Sequence, residues 1–233
     1  MLPMPKRTRA RSARPKRAST AKSLMLMAGG VLAALAIAVF LSQGTEEASP
    51  NPVTDQEIPT ASARIRGPEN ASLKLVEFGD YQCPSCRFYH DVVTELFRRF
   101  PNELELEFHH FPLDSIHPNS VFAAIVAESA GEQDRFWEMH DLLFENQDQW
   151  AASSNPEALF ISYAAQLGLD QNLFMRSLRA TEIESRVLQD VTRARELAIN
   201  AVPAFFLDGR QLTLPRNIEE FERLIYSALE SRR

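Results

Sequence analysis

The chain has 233 residues, 45% of them hydrophobic and 24% charged, which allows one globular domain with a sizeable core and additional segments. Its net charge of −6 hides an asymmetry: residues 1–22 carry eight basic side chains and no acidic one, which leaves 17 basic against 31 acidic side chains in the rest. Such an acidic domain lacks the basic face that attracts nucleic-acid phosphates, so we expect no nucleic-acid partner.

An uncharged apolar segment of 22 residues, 23–44, follows the basic arm. As a helix it would be about 33 Å long, enough to cross a hydrocarbon core of roughly 30 Å. Its apolar residues form no stripe, which disfavours a buried soluble helix. A cleaved signal peptide is the alternative, but the segment is longer than a usual signal core and no clean A-x-A site precedes Ala48. We expect a retained, single-pass transmembrane signal anchor.

The positive-inside rule predicts the orientation of this anchor. Residues 1–22 form a basic cytoplasmic arm, which would also contact anionic lipid headgroups, and the chain after residue 44 is extracytoplasmic. Residues 45–65 are rich in Pro, Ser, Thr and acidic side chains, so we expect a flexible linker, with the folded domain at 66–233. Compartments outside the cytoplasm are oxidising, which bears on the chemistry of any cysteine in this domain.

The folded domain is predicted to begin with a strand, a helix and a second strand. Leu73–Phe78 is a short β run, a helix follows from Pro84 to Phe100, and Leu104–Phe111 begins with the alternation of a strand. At this spacing the two strands are expected to be parallel neighbours joined by the helix.

Residues 115–199 show helical periodicity and no strand pattern. Five helices are predicted there: Ser120–Ala130, Asp134–Asn146, Pro156–Leu167, Asp170–Ala180 and Glu182–Ile199. Ala204–Leu207 and Gln211–Leu214 then form a hairpin around Asp208-Gly209, and Asn217 caps a last amphipathic helix. The predicted fold class is α/β, with a mixed βαβ–ββα sheet of about four strands, helices on both faces and an inserted helical subdomain.

Both cysteines of the chain, Cys83 and Cys86, lie in the sequence CPSC directly after the first predicted strand. A structural disulfide is disfavoured because it would close almost no loop. A zinc site is disfavoured because it needs further ligands, and the five histidines form no H-x₃₋₅-H pair. A redox role fits, because free N–H groups at the helix start favour the thiolate of Cys83, and Cys86 lies about one turn further on.

Three segments, VEFGDYQCPSC, HHFPL and AVPAFFLDG, occur in this order on the predicted frame. Together they resemble the DsbA-like thiol–disulfide oxidoreductases of the thioredoxin fold, over about residues 66–233. The resemblance implies that Cys83 is an exposed attacking thiol and Cys86 a buried resolving one. It also implies that Val202-Pro203 is a cis-proline loop facing the CxxC pair, where an extended substrate can bind. The alternative for Pro203 is a proline that begins a strand.

Four other residues near the cysteines carry expectations. The resemblance supports a role for Glu77 as a partly buried acid with raised pKa that exchanges a proton with Cys86; the alternative is an inert, solvated carboxylate at a strand end. Asp80 is expected to stabilise the turn first and to tune the thiols second. Pro84 and Ser85 are expected to contact substrate. Ser85 departs from the most oxidising member of the family, which has histidine there, so the potential is expected to be less extreme.

Other polar and aromatic residues are assigned ordinary roles. Of His109 and His110, one is expected to be packed and the other solvated, and His90 is expected on a helix surface. The sequon at Asn70 is attributed to chance. The core of the insert is predicted to contain Phe136, Trp137, Met139, Leu142 and Phe144.

The resemblance implies an extracytoplasmic thiol:disulfide oxidoreductase on the bacterial cell membrane that introduces disulfides into exported, cysteine-containing proteins. It implies no cofactor or metal beyond the Cys83–Cys86 disulfide, and a membrane quinone-linked oxidase of the DsbB or VKOR type as reoxidising partner. One alternative is a reductase or isomerase kept reduced by a membrane electron donor, although the short linker leaves no room for the dimerisation domain of dimeric isomerases. Another is a non-catalytic tethered binding module, for which loss of a cysteine or of Pro203 would be expected.

Overall fold

A five-stranded mixed sheet organises residues 64–232, the part of the chain that the computed structural model describes. The strands are β1 (Arg64–Arg66), β2 (Leu73–Gly79), β3 (Leu104–His110), β4 (Ala204–Leu207) and β5 (Arg210–Gln211), in the spatial order β1-β3-β2-β4-β5. As predicted, β2 and β3 are parallel, in register from Leu73 opposite Leu104 to Gly79 opposite His110. The predicted arm, the anchor and the linker up to residue 63 lie outside the described residues. No helix within 64–232 has the length and apolar character needed to cross a bilayer.

The first strand is a departure from the sequence prediction, which has about four strands and places residues 64 and 65 in the linker. Strand β1 pairs antiparallel with β3 at the edge of the sheet. Its two arginines find acidic partners far along the chain, since Arg64 lies 2.5 Å from Glu128 and Arg66 lies 2.8 Å from Asp141. The strand therefore depends on partners that its own three residues do not reveal.

The helices of the described residues pack on both faces of the sheet and form the insert. They are α1 (Pro84–Arg99), α2 (Ser120–Gly131), α3 (Phe136–Glu145), α4 (Gln147–Trp150), α5 (Glu157–Gln166), α6 (Gln171–Ser177), α7 (Thr181–Glu196) and α8 (Ile218–Glu230). All five helices predicted between residues 115 and 199 are present, and the single turn α4 is additional. Asn217 caps α8 as predicted, because its side chain accepts a hydrogen bond from the Glu220 N–H at 2.9 Å.

The returning strand of the hairpin is shorter than predicted. Asp208 and Gly209 have positive φ values of 48° and 76°, as a two-residue hairpin turn requires. Strand β5 ends at Gln211 rather than at Leu214, although the Leu212 N–H still donates to Phe205 O at 2.8 Å.

Side chains of β2 alternate between two cores. Leu73 and Leu75 pack with α1 and α8 on one face, and Val76 and Phe78 pack with α7 on the other. A third cluster fills the insert and extends to Cys83 and Cys86. The parallel strands β2 and β3 end together, so the CPSC segment lies at the carboxyl ends of these strands, where it packs against the insert. The predicted insert core is buried at Phe136, Met139 and Phe144 and partly buried at Trp137 and Leu142.

Candidate active site

The CPSC segment forms the beginning of α1. Cys83 is the N-cap residue, with extended backbone angles of φ −74° and ψ 122°, and Pro84 is the first helical residue. Both thiols are free. Cys86 is fully buried, and Cys83 is itself only 8% exposed, which corrects the expectation of an exposed thiol. Cys83 is covered because it packs into the apolar cluster of the insert.

The environment of the two sulfurs drives their acidities apart. The pKa of Cys83 is lowered from 9.0 to about 6, chiefly by a hydrogen bond from the Cys86 thiol and further by the backbone N–H groups of Cys86 and Ser85, against burial and the charge of Asp80. Burial raises the pKa of Cys86 well above its ordinary value, and the neighbouring Cys83 and Glu77 raise it further. At neutral pH this arrangement favours one thiolate, on Cys83, and one thiol, on Cys86.

The loop before β4 faces Cys83. The peptide bond between Val202 and Pro203 is cis, as the resemblance implies, and the Val202 carbonyl oxygen lies 3.9 Å from Cys83 Sγ. Pro203 is buried, whereas Val202 is partly exposed. Pro84 and Ser85, which follow Cys83 in the chain, are exposed. Of the four residues assigned to substrate binding from the sequence, two follow Cys83 directly and two form the cis-proline loop whose Val202 carbonyl faces its sulfur.

Glu77 lies in the middle of β2, and only 2% of it is exposed. Burial raises the pKa of its carboxyl from 4.5 to about 8, so it holds a proton near neutral pH. Gly79 leaves room at the end of the strand, because a Cβ there would meet the Phe108 ring at 2.7 Å and Glu77 Oε1 at 3.3 Å. Glu77 is close enough to Cys86 to raise the pKa of that thiol further whenever its carboxyl is ionised.

Asp80 is buried and ties together the turn that leads to Cys83. Its Oδ1 accepts a hydrogen bond from the Gln82 N–H at 2.8 Å, and its Oδ2 accepts one from the Leu113 N–H at 2.9 Å and lies 2.7 Å from His117 Nδ1. The Asp80 carbonyl accepts from the Cys83 N–H at 3.1 Å. These contacts agree with the expected turn role and fix the loop to the segment after β3.

The helical insert holds the same turn from its other side, a feature that the sequence did not reveal. The Gln147 amide nitrogen donates to Tyr81 O at 2.7 Å and to Cys83 O at 3.0 Å. The Gln82 amide donates to Ala151 O at 2.7 Å, and its oxygen accepts from the Asn119 N–H at 2.7 Å. The only sequence signal was a glutamine beside an apolar helix, which is too common to assign.

The prediction that one of the two adjacent histidines on β3 is solvated is wrong, since His109 and His110 are 0% and 1% exposed. His109 lies 2.8 Å from both Asp190 and Glu107, and His110 Nε2 lies 3.1 Å from Glu128 Oε1. Burial lowers the pKa of His109, but the hydrogen bonds to Asp190 and Glu107 outweigh this effect and raise it to about 9. Buried carboxylates thus neutralise the His109 imidazolium, and His110 has a buried hydrogen-bond partner in Glu128.

His90 was expected on the helix surface and is instead buried in the α1–α3 contact. Its Nε2 lies 3.1 Å from Asp141 Oδ1, and Asp141 Oδ2 lies 2.8 Å from Arg66. His90, His140 and Asp141 have possible ligand atoms within 4.8 Å of one another, as a metal site requires. The Arg66 guanidinium opposes a second cation, however, and His140 Nδ1 is already 3.0 Å from the Tyr81 hydroxyl. We therefore assign this group a packing role.

Thiol–disulfide exchange is the chemistry that a paired thiolate and thiol can perform, and the fold is a thioredoxin fold of the DsbA-like type. A family model described as Thioredoxin matches residues 60–227, and the chain belongs to this family.

Solved structures share the fold. Oxidised BdbD from Bacillus subtilis superimposes with a TM-score of 0.66 at 22% identity, covering 73% of this chain and 95% of that one. The α-DsbA1 of Wolbachia pipientis has a TM-score of 0.64 at 19% identity, covering 73% and 94%. A protein-disulfide isomerase from Novosphingobium aromaticivorans has a TM-score of 0.61 at 20% identity, covering 72% and 97%.

Curated proteins with similar sequences are named as Na(+)/H(+) antiporters. The chain is 36% identical over 169 residues to Na(+)/H(+) antiporter NhaA 3 of Salinispora tropica, covering 72% of this chain and 25% of that protein. It is 36% identical over 149 residues to Na(+)/H(+) antiporter NhaA 1 of Mycobacterium sp. strain KMS, covering 63% and 24%. The chain thus spans about a quarter of the length of the curated relatives it matches.

Proposed function

We propose that this protein is a thiol–disulfide oxidoreductase that acts as a thiol oxidase and introduces disulfides into exported proteins through Cys83 and Cys86. The observation that carries the proposal is the position of Cys83 at the N-cap of α1, opposite the Val202 carbonyl, where hydrogen bonds from Cys86 and Ser85 lower its pKa to about 6. A stabilised thiolate stabilises the reduced enzyme, and an enzyme whose reduced form is stable is an oxidant in its disulfide form.

The first step is attack by a substrate thiolate on Cys83 Sγ of the disulfide. A mixed disulfide forms, the Cys83–Cys86 bond breaks, and the bonding electron pair leaves with Cys86. The Cys86 thiolate is strongly disfavoured by burial, so it takes up a proton, and the protonated Glu77 carboxyl is the nearby donor. Glu77 gives this proton to Cys86 directly or through water, and solvent then reprotonates Glu77.

The second step is attack by another substrate thiolate on the substrate sulfur of the mixed disulfide. The substrate disulfide forms and Cys83 leaves as a thiolate, which its hydrogen bonds stabilise. Two electrons have passed from the substrate to the enzyme. Val202 and Pro203 bind the extended substrate backbone beside Cys83, and the exposed Pro84 and Ser85 form the other wall of this position.

The setting of the reaction is also a proposal. Segment 23–44 anchors the enzyme in the bacterial membrane, the domain works on the extracytoplasmic side, and a quinone-linked membrane oxidase of the DsbB or VKOR type restores the disulfide. No other cofactor is required. Antiport, named for the curated relatives, is not proposed, because the chain spans about a quarter of those proteins.

Trapping with a reduced, cysteine-containing substrate protein tests the proposal on the full chain in detergent. Cys83→Ala should abolish thiol oxidation, because the attacked sulfur is gone. Cys86→Ala cannot form the disulfide, so its Cys83 is first converted to a mixed disulfide with glutathione. A thiolate of a single-cysteine substrate that attacks Cys83 Sγ then releases glutathione, and the mixed disulfide with the substrate should accumulate, because no Cys86 thiolate is present to displace the substrate. Identical behaviour of the two variants would contradict the proposed division of roles.

A further inference from the structure

We infer that Gln147, on the short helix α4 of the insert, is a positioning residue for Cys83. The inference rests on the proposed exchange at this cysteine and assigns the insert a part in it. Gln147 touches neither sulfur; it acts through the backbone that carries them.

The Gln147 side chain is almost completely buried, with 4% of the residue exposed. Its amide nitrogen has two hydrogens, and the structure provides one acceptor for each: Tyr81 O at 2.7 Å and Cys83 O at 3.0 Å. The two acceptors flank Gln82, so this single side chain holds the Tyr81–Gln82 peptide and the Cys83–Pro84 peptide, at which the helix begins.

The carbonyl oxygen of Cys83 determines the orientation of the peptide at which α1 begins. The next residue is Pro84, which has no N–H, so the Cys83–Pro84 peptide has only its carbonyl oxygen by which its plane can be held. That oxygen accepts the first helical hydrogen bond, from the Arg87 N–H at 3.1 Å, and the bond from Gln147. Rotation of this plane would turn the following N–H groups away from the sulfur.

Those N–H groups belong to Ser85 and Cys86, and both lower the pKa of Cys83. Gln147 therefore acts on the Cys83 thiolate indirectly, by keeping the N–H groups of Ser85 and Cys86 oriented toward the sulfur. The neighbouring ion pair between Arg87 and Asp148, at 2.5 Å, joins the same two helices, but Asp148 is largely exposed and such pairs contribute little. The buried amide is the stronger tie.

A merely structural role for Gln147 makes a different prediction. Losing the amide would leave two buried carbonyls without this donor and would lower the stability of the oxidised and reduced forms alike. The equilibrium constant with glutathione would then stay the same, since it reports only the difference between the two forms. A positioning role destabilises the thiolate form selectively and shifts that constant.

The test compares Gln147→Met, which keeps the length of the side chain and removes the amide, with Gln149→Met. Gln149 lies on the same helix, is exposed, and bonds only to Asn146. In the full chain we measure the pKa of Cys83 from the ultraviolet absorbance of its thiolate, and the equilibrium constant with glutathione. For Gln147→Met the pKa should rise by about half a unit and the constant should shift about threefold toward the disulfide form, with Gln149→Met unchanged.

Unchanged values for Gln147→Met, with equal losses of stability in both redox forms, would overturn the inference. If that variant does not fold, Gln147→Glu replaces it, since it keeps the shape and presents an oxygen to the two carbonyls; Gln149→Glu controls for the added charge. A pKa shift for Gln147→Glu no larger than for Gln149→Glu would also overturn it. An unmodified protein whose Cys83 pKa is ordinary would instead contradict the proposed function, so the two failures are distinguishable.

Discussion

Cys83 and Cys86 share the first turn of α1, yet the pKa of Cys83 is lowered to about 6 whereas that of Cys86 is raised. The cause is position within the turn. Cys83, at the N-cap, receives the hydrogen bonds of Cys86 and Ser85, while Cys86 lies beneath it in a fully buried site near Glu77. The CxxC pair thus contains one sulfur, on Cys83, that leaves readily as a thiolate, and one, on Cys86, that must be protonated when the disulfide opens.

Ser85 offers a direct way to change this balance. Ser85→His places a partly protonated imidazole at an exposed position next to Cys83, and a positive charge stabilises the thiolate. We expect the pKa of Cys83 to fall and the potential to become more oxidising by roughly 30 mV for each 1.4 kcal/mol of added stabilisation. Glutathione equilibria at pH 6 and low salt measure the effect. Ser85→Ala is the uncharged control, and equal potentials for the two variants would contradict the expectation.

Glu77 should give the enzyme an unusual pH dependence of stability. Its pKa is about 8 when folded against an ordinary value of 4.5, so between these values the unfolded chain releases a proton that the folded chain retains. The free energy of unfolding should therefore fall as pH rises from 4.5 to 8, by at most about 5 kcal/mol from this group.

Urea unfolding of the disulfide form, in which neither thiol titrates, measures this slope. Glu77→Gln should remove the decrease, and the variant should be the more stable protein at pH 8. Glu69→Gln, at an exposed carboxyl just before β2, should keep the slope of the unmodified protein. A slope in Glu77→Gln equal to that of the unmodified protein would show that the carboxyl ionises normally when folded.

His109 should stabilise the fold in its protonated form. Its folded pKa is about 9 against 6.5, so its contribution is complete below pH 6.5 and is lost as pH rises through 9. His109→Gln removes the positive charge that lies between Glu107 and Asp190, and we expect a loss of about 3 kcal/mol at pH 6 and a smaller loss at pH 10.

Urea unfolding at both pH values measures these losses. Adding Glu107→Gln to His109→Gln removes one of the two buried carboxylates that had faced His109 and should recover part of the stability; Lys74, the other partner of Glu107 at 2.6 Å, is partly exposed and loses little. A loss that is equal at pH 6 and pH 10 would contradict a protonated His109.

Local pattern was enough to predict most of the fold. A short β run identified β2, alternation at its start identified β3, apolar periodicity identified the five predicted helices of the insert, and the Asp208-Gly209 pair identified the hairpin. Strand β1 was missed because its arginines are neutralised by Glu128 and Asp141, which are more than sixty residues away. A charged tripeptide has no local signal of burial.

The candidate site likewise contains residues that could be identified from local sequence and residues that could not. Cys83, Cys86 and Glu77 were identifiable because each is unusual in its immediate sequence, a thiol pair after a strand or an acid within an apolar one. Gln147 was not, because its importance comes from two carbonyls more than sixty residues away. The sequence predicted burial of only one of His109 and His110, and the burial of both was missed for a similar reason, since their carboxylate partners include residues on α2 and α7.

The reduction potential of the Cys83–Cys86 pair, obtained by equilibrating the full chain with glutathione buffers, distinguishes an oxidase from a reductase. We expect a potential clearly more oxidising than roughly −270 mV, together with a Cys83 pKa near 6. A potential near −270 mV with a Cys83 pKa close to the roughly 8.5 of a free thiol would contradict it and assign the enzyme to the reducing side of thiol–disulfide exchange.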